Sequence, residues 1–388
     1  MKERRYDIDW LRVIAMLLVF FFHCGRFFGA GHWLLKNDKE SIVALVYLGW
    51  SDMWIMPFYF LLSGIGSWYA LVSLTNKQYV QERIKRILIP LYTVGFFILL
   101  PPQFYFEIST NAGFTGNFWQ SLPLYLGKEG HFSIGSPPDV LLLPFITHLW
   151  FLGYLFLISL ITLPLIRYLR SEHGLRFIDK LAAWCARPGG IFICIIPVLF
   201  IRVGLRGFFL GQFTWADLFE YIVYFVIGYI FMADSRFTQS IKKYGWVGLI
   251  LGLAGYGCQG IFVLGLGYNY PDGESFSLTY VLFETVMSIS RWSWVVFVLS
   301  LGAKYLNCNH KALTYSNEAV LPFYILHQPI ILGVGCFIIQ LNIGILPKFL
   351  IITVISFTLI MALYHLLVRR FNIVRFFFGL RPIKRSST

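Results

Sequence analysis

Trp10-Leu11-Arg12-Val13-Ile14-Ala15-Met16-Leu17-Leu18-Val19-Phe20-Phe21-Phe22-His23-Cys24-Gly25-Arg26-Phe27-Phe28 is an apolar run long enough to cross a bilayer, interrupted by a few ionisable side chains. The basic Lys2, Arg4 and Arg5 ahead of it give the start of a secretory leader. However, Arg12 lies inside the run, and no small-residue cleavage site follows, so the segment reads as a retained first span. The rest of the chain agrees. Of 388 residues, 57% are apolar or aromatic and 13% charged, against about 25% charged in soluble domains. The 39 Phe, 22 Tyr and 12 Trp run from end to end and leave no hydrophilic half for a soluble domain. The expected fold is an all-α polytopic helical bundle, a single membrane domain over residues 1–388.

Ten spans are expected, at roughly 10–28, 53–74, 87–106, 148–166, 189–201, 217–233, 246–266, 280–302, 319–340 and 347–368. The fifth is short, and Arg202 and Arg206 behind it have to snorkel or face a cavity. Residues 41–50 suggest an interfacial helix before the second span. With the N-terminus inside, inner segments carry 23 Lys and Arg, whereas outer ones carry six: Lys36, Lys39, Lys128, Arg202, Arg206 and Lys348. That asymmetry puts both termini in the cytoplasm and supports an even number of spans. The formal charge of +13 is thus mostly a topology signal, and no nucleic-acid-binding motif accompanies it. One connection is long, an external loop over 107–147 rich in Gly and Pro, and residues 369–388 form a basic cytoplasmic tail. The six cysteines are scattered, with no metal-ligand spacing, so neither a disulfide framework nor a metal site is expected.

Ionisable side chains inside spans are costly and mark sites of function. Arg12 and His23 are 11 residues apart, within about 20° of one helix face and about 16 Å along the axis, so both are expected to point into one cavity. Arg12 also has Asp9 one turn away. Arg83 and Arg86, at the inner end of the third span, read either as a phosphate grip or as ordinary inner-face anchors. His148 opens the fourth span. His327 lies mid-span between Pro322 and Pro329, which kink the helix. Arg26 ends the first span, and Arg291, mid-way along the eighth, calls for a partner. Phe60-Leu61-Leu62-Ser63-Gly64 supplies small residues for close helix packing, as do Gly248, Gly252 and Gly255, within one subunit or between two.

Taken together these residues resemble acyltransferase family 3, the membrane-bound acyltransferases of bacterial envelopes. Arg12 to His23 is similar to its R-x10-H element, Phe60 to Gly64 to its F-x-x-S-G, and Arg83 with Arg86 to its R-x-x-R. Asp9-Trp10-Leu11-Arg12, His148 to Leu152 and Leu326-His327-Gln328-Pro329 resemble a subgroup that includes the periplasmic glucan succinyltransferases. The resemblance covers essentially the whole chain, without the appended soluble domain of some members. It implies an O-acyltransferase in a bacterial inner membrane. The donor is cytosolic acyl-CoA, held by Arg83 and Arg86. The acceptor is a hydroxyl of a glycan or other envelope molecule, contacted by His148, His327, Arg26 and Arg291. His23 and Arg12 are the expected catalytic pair, His23 as general base or as a nucleophile carrying the acyl group. No metal is required.

Two other classes fit the same residues. A transporter or flippase would line a polar path with Arg12, His23, Arg291 and His327. An inactive scaffold would tolerate substitution of Arg12 and His23. The acyl group, the acceptor and the oligomeric state are left open by the sequence.

Overall fold

The computed structural model describes residues 4–31, 33–111, 113–127, 148–209, 211–268 and 275–383. Among these the regular structure is helical: α1 (Tyr6–Gly25), α2 (Ile42–Ser73), α3 (Asn76–Thr110), α4 (Phe118–Gly127), α5 (Trp150–Ile161), α6 (Leu163–Leu169) and α7 (Glu172–Cys185), then α8 (Gly190–Phe208), α9 (Trp215–Phe231), α10 (Ser235–Gly265), α11 (Leu278–Tyr305), α12 (Lys311–Ile338), α13 (Ile345–Val368) and α14 (Asn372–Phe377). Eight of them, α1, α2, α3, α8, α10, α11, α12 and α13, are long and apolar enough to cross a membrane. Helices α5 and α6, bent by 49° at Thr162, make a ninth as one broken span. With 17 residues, α9 sits at the short end of the spanning range.

Side-chain contacts show which ends lie together. The amide of Tyr6 donates to Asn307 at 3.1 Å, and Trp10 donates to the Cys308 carbonyl at 3.1 Å. Asn317 donates to Asp9 at 3.2 Å, and Arg5 to Thr238 at 3.1 Å. The starts of α1, α10 and α12 and the end of α11 therefore share one end, here the inner end, and the Tyr315–His365 contact brings the end of α13 there too. At the opposite, outer end the Asn37 carboxamide accepts from Lys348 at 2.7 Å. Helix α1 is central, packing against α2, α11, α12 and α13.

Small residues set the closest approaches. A Cβ on Gly64 would stand 1.9 Å from the Phe225 carbonyl oxygen, and one on Gly228 would stand 2.0 Å from that of Leu61, so α2 and α9 touch backbone to backbone. That is the packing role expected of the Phe60–Gly64 stretch. Gly248, Gly252 and Gly255 likewise face Ser293, Trp294 and Ser290 of α11, so the α10 glycine stripe is spent within the subunit.

Two expected boundaries are corrected. Residues 41–50 are no separate interfacial helix. They belong to α2, which runs unbroken for 32 residues, about 48 Å, because Ser41 caps it and Pro57 does not stop it. The loop expected from 107 begins later: α3 continues to Thr110, the chain turns at Gly113 with φ +65°, and α4 follows, its Tyr125 hydroxyl donating back to the Phe96 carbonyl at 2.9 Å. The aromatic residues of this stretch, Phe104 and Tyr125 among them, pack on one another and hold helix where Gly content suggested coil. Residues 128–147 of that loop and 384–388 of the tail lie outside the described residues.

Candidate active site

Three histidines from α1, α12 and the turn before α5 converge. Nδ1 of His23 donates to the Val19 carbonyl one turn back, at 2.9 Å, and lies 3.3 Å from Nε2 of His327. Nδ1 of His327 donates to the Tyr324 carbonyl at 2.6 Å. Because a carbonyl only accepts, both Nδ1 atoms carry the proton, a tautomer assigned from these partners. His327 Nε2 is then an acceptor, and His23 is left with a bare Nε2 lone pair that no described protein group engages. The ring of His148 lies 5.3 Å from that of His327, its Nε2 donates to the Ile325 carbonyl at 3.1 Å, and its own carbonyl accepts from the Tyr324 hydroxyl.

His23 and His148 line a cavity of about 720 Å³ in the outer half of the bundle. Arg26 and Arg291 line it as well, so four of the residues expected at the site line the same cavity. The partner sought for Arg291 is Glu220 of α9, at 2.9 Å. Glu220 also accepts from Arg202 at 2.8 Å, and Arg202 donates to Glu284 at 2.6 Å. Arg206 pairs with Asp217, whose other oxygen closes the cap of α9 by accepting from the Thr214 amide at 2.9 Å. Thus Arg202 and Arg206 face the cavity rather than snorkelling, and Arg202 is only 2% exposed. Tyr280 fixes the Arg202 carbonyl from α11 at 2.7 Å.

Arg12 does not line this cavity, which corrects the expectation that it and His23 point into one space. Packing of α1 gives the two ends of its polar stripe different neighbours. Arg12 donates to the Leu62 carbonyl at 3.3 Å and reaches Asp9 at 3.5 Å, while Asp9 also takes Arg4 at 2.9 Å. Its guanidinium lies against Gly66, where a Cβ would stand 2.7 Å from Nη2. The next residue, Ser67, accepts from Arg83 at 2.9 Å and from the Tyr79 hydroxyl at 3.0 Å, and the Arg83 guanidinium lies 4.7 Å from the Tyr79 ring centroid. Arg12 and Arg83 therefore flank one turn of α2. Arg86 diverges to the surface, 3.3 Å from Glu82.

A chain of rings joins the two centres. The Tyr59 hydroxyl donates to the Arg12 carbonyl at 3.3 Å, its ring lies 5.5 Å from Phe151, Phe151 lies 5.8 Å from Tyr324, and Tyr324 lies 5.6 Å from His327.

Sequence reasoning missed Asp52, Asp217, Glu220 and Glu284. The signal was present: Glu220 and Glu284 are carboxylates within apolar spans, a placement as costly as that of Arg291. Counting Lys and Arg for topology passed over them.

In this membrane helical bundle an imidazole of α1 lines a polar cavity toward one end, and the guanidiniums of Arg12 on α1 and Arg83 on α3 lie beside α2 toward the other. The chain belongs to the acyltransferase domain family, whose sequence model matches residues 5–365. It is similar to the glucans biosynthesis protein C of Salmonella paratyphi A (strain ATCC 9150 / SARB42), 24% identical over 99% of this chain and 97% of that protein. It is also similar to that of Salmonella typhimurium LT2, 25% identical over the same shares. No solved structure matches it. The protein is a multi-pass membrane acyltransferase.

Proposed function

We propose that the protein transfers an acyl group from acyl-CoA, bound at the inner end, to a hydroxyl of an envelope glycan in the outer cavity of a bacterial inner membrane. The observation that carries this reading is the bare Nε2 of His23 on the cavity wall, its other nitrogen tied down by Val19 and His327. Support for a glycan acceptor comes from the relatives' name, glucans biosynthesis protein C.

His23 Nε2 takes the proton of the acceptor hydroxyl as its oxygen attacks the thioester carbonyl carbon. The carbon–sulfur bond breaks, and the imidazolium returns the proton to the departing thiolate. His327, accepting at Nε2, and the Val19 carbonyl hold the ring in the required tautomer and stabilise the transient imidazolium. Phosphates of the donor lie at Arg12 and Arg83, which offer bidentate donors against α2. Arg86 extends that basic surface. Arg12 thus serves donor binding more directly than proton transfer. The pantetheine arm reaches His23 along α1, and the rings of Tyr59, Phe151 and Tyr324 part for it.

The test is His23→Gln in detergent-purified protein supplied with acyl-CoA and a glucan acceptor. Transfer should fall by about 10²–10⁴-fold while thermal stability and donor binding hold. Near-normal transfer by this variant would rule out the base. Activity that needs a sealed vesicle, with no thioester consumed in detergent, would favour a transporter instead.

A further inference from the structure

Among the described residues, one carboxylate lining the cavity stands outside the ion-pair network. Glu220 is shared by Arg202 and Arg291, Glu284 is held by Arg202, and Asp217 by Arg206 and Thr214. Asp52 of α2 lines the cavity and is exposed. Neither a hydrogen bond nor an ion pair ties it to another described residue. Its charge is felt at a distance by Arg291 and Arg26, with Asp217 and Arg206 behind them.

The register of α1 against α2 gives its depth. Gly25 packs on Leu48, with a Cβ position 3.6 Å from the leucine side chain. From that level His23 is two residues further in along α1, about 3 Å, and Asp52 four residues further in along α2, about 6 Å. The carboxylate and the reactive imidazole therefore sit within about one helical turn of the same depth, on walls of one cavity. Aromatic faces complete the surroundings: Trp150 stands 5.7 Å from Tyr221 and 5.1 Å from Phe213, and Trp33 stands 6.5 Å from His23.

A carboxylate can only accept, so what satisfies it brings hydrogen-bond donors. The surrounding charges already balance in number, Arg26, Arg202, Arg206 and Arg291 against Asp52, Asp217, Glu220 and Glu284, which disfavours an added cation as that donor. Neutral hydroxyls meet the need, two adjacent ones matching the two carboxylate oxygens, while ring faces such as Trp150 suit the C–H surface of a sugar. We propose that Asp52 holds a vicinal diol of a neutral sugar and so sets which hydroxyl meets His23. This rests on the acyltransferase reading only for the identity of the reacting hydroxyl; sugar binding itself is independent of it.

The experiment uses the full chain in detergent, with a glucose tetrasaccharide as probe and its per-O-methylated form as control. Asp52→Asn, close in shape, should weaken tetrasaccharide binding by tenfold or more, about the loss of one hydrogen bond to a charged group. The acceptor KM should rise by the same factor, with the donor KM unchanged. The methylated sugar should bind wild type and variant alike. Asp52→Ser provides a second variant if the first folds poorly, judged by thermal transition. Equal tetrasaccharide affinity in wild type and variant, no saturable binding to wild type, or a donor KM that rises in parallel would overturn the proposal. Failure of His23→Gln to abolish transfer would instead strike the base assignment and leave the binding comparison standing.

Discussion

The two ends of α1 hold arginines in opposite electrostatic settings. At the outer cavity Arg202, Arg206 and Arg291 each meet a carboxylate of α9 or α11, and Arg26 has Asp52 nearby, so positive and negative charges balance. At the inner end Arg12 has only a 3.5 Å contact to Asp9, which Arg4 already occupies, and Arg83 rests on a serine hydroxyl and a tyrosine ring with no carboxylate among the described residues. A balanced pocket suits a neutral, hydroxyl-rich ligand, and an uncompensated one suits an anion. The difference teaches that an arginine's role in this bundle follows from what faces it, since Arg202 and Arg83 are chemically the same group.

The largest expected effect breaks the balanced end. Arg202→Met leaves Glu220 and Glu284 without one of their main partners in a buried setting, at a cost of about 3–5 kcal/mol, and little folded protein should be recovered. Combining it with Glu284→Gln removes the carboxylate left without a cation, while Glu220 keeps Arg291 at 2.9 Å, and should restore much of the thermal transition. If the single variant melts like wild type, the outer network is not an electrostatic unit and the contrast with the inner end fails.

The inner end should respond in ligand binding rather than in folding. Arg12→Gln and Arg83→Gln each remove a charged donor that no buried carboxylate depends on, so the transition temperature should stay within a few degrees. The donor KM should rise by about 10- to 100-fold per arginine, more steeply at low salt. The acceptor KM should hold. Arg86→Gln, which breaks only an exposed pair with Glu82, should do less. Equal effects from Arg83 and Arg86 would mean that the surface, not the turn of α2, grips the donor.

Much of this contrast was legible in the sequence and part of it was not, for physical reasons. Spans and the three site histidines announce themselves because polar groups in apolar runs are rare and expensive. Helical periodicity put Arg12 and His23 on one stripe of α1, but it says nothing of which neighbour meets each end. That neighbour is fixed by long-range packing, such as the Gly64 and Gly228 contacts that draw α9 against α2 and bring Glu220 to Arg291. Asp52 was hidden at a span boundary, one residue before the expected start at 53, where an acid looks like part of a solvated end. The packing of α2 against α1 decides otherwise, because it sets Asp52 in the lining of the same cavity as His23 and Arg26.

The smallest effect is the sharpest probe of the inner end. Ser67 accepts from both Arg83 and the Tyr79 hydroxyl, and so aims the guanidinium along α2 instead of letting it follow Arg86 outward. Ser67→Ala keeps every charge and removes only the aim. The lost hydrogen bond is worth about 1 kcal/mol, so the donor KM should rise by roughly fivefold with kcat unchanged. Salt dependence should match wild type, since no charge has changed. A variant with an unaltered donor KM would show that Arg83 finds the donor without being positioned, which would reduce the inner end to a diffuse positive field. An effect on kcat alone would place Ser67 in the path between the two centres, and would tie the ring chain of Tyr59, Phe151 and Tyr324 to the chemistry rather than to binding.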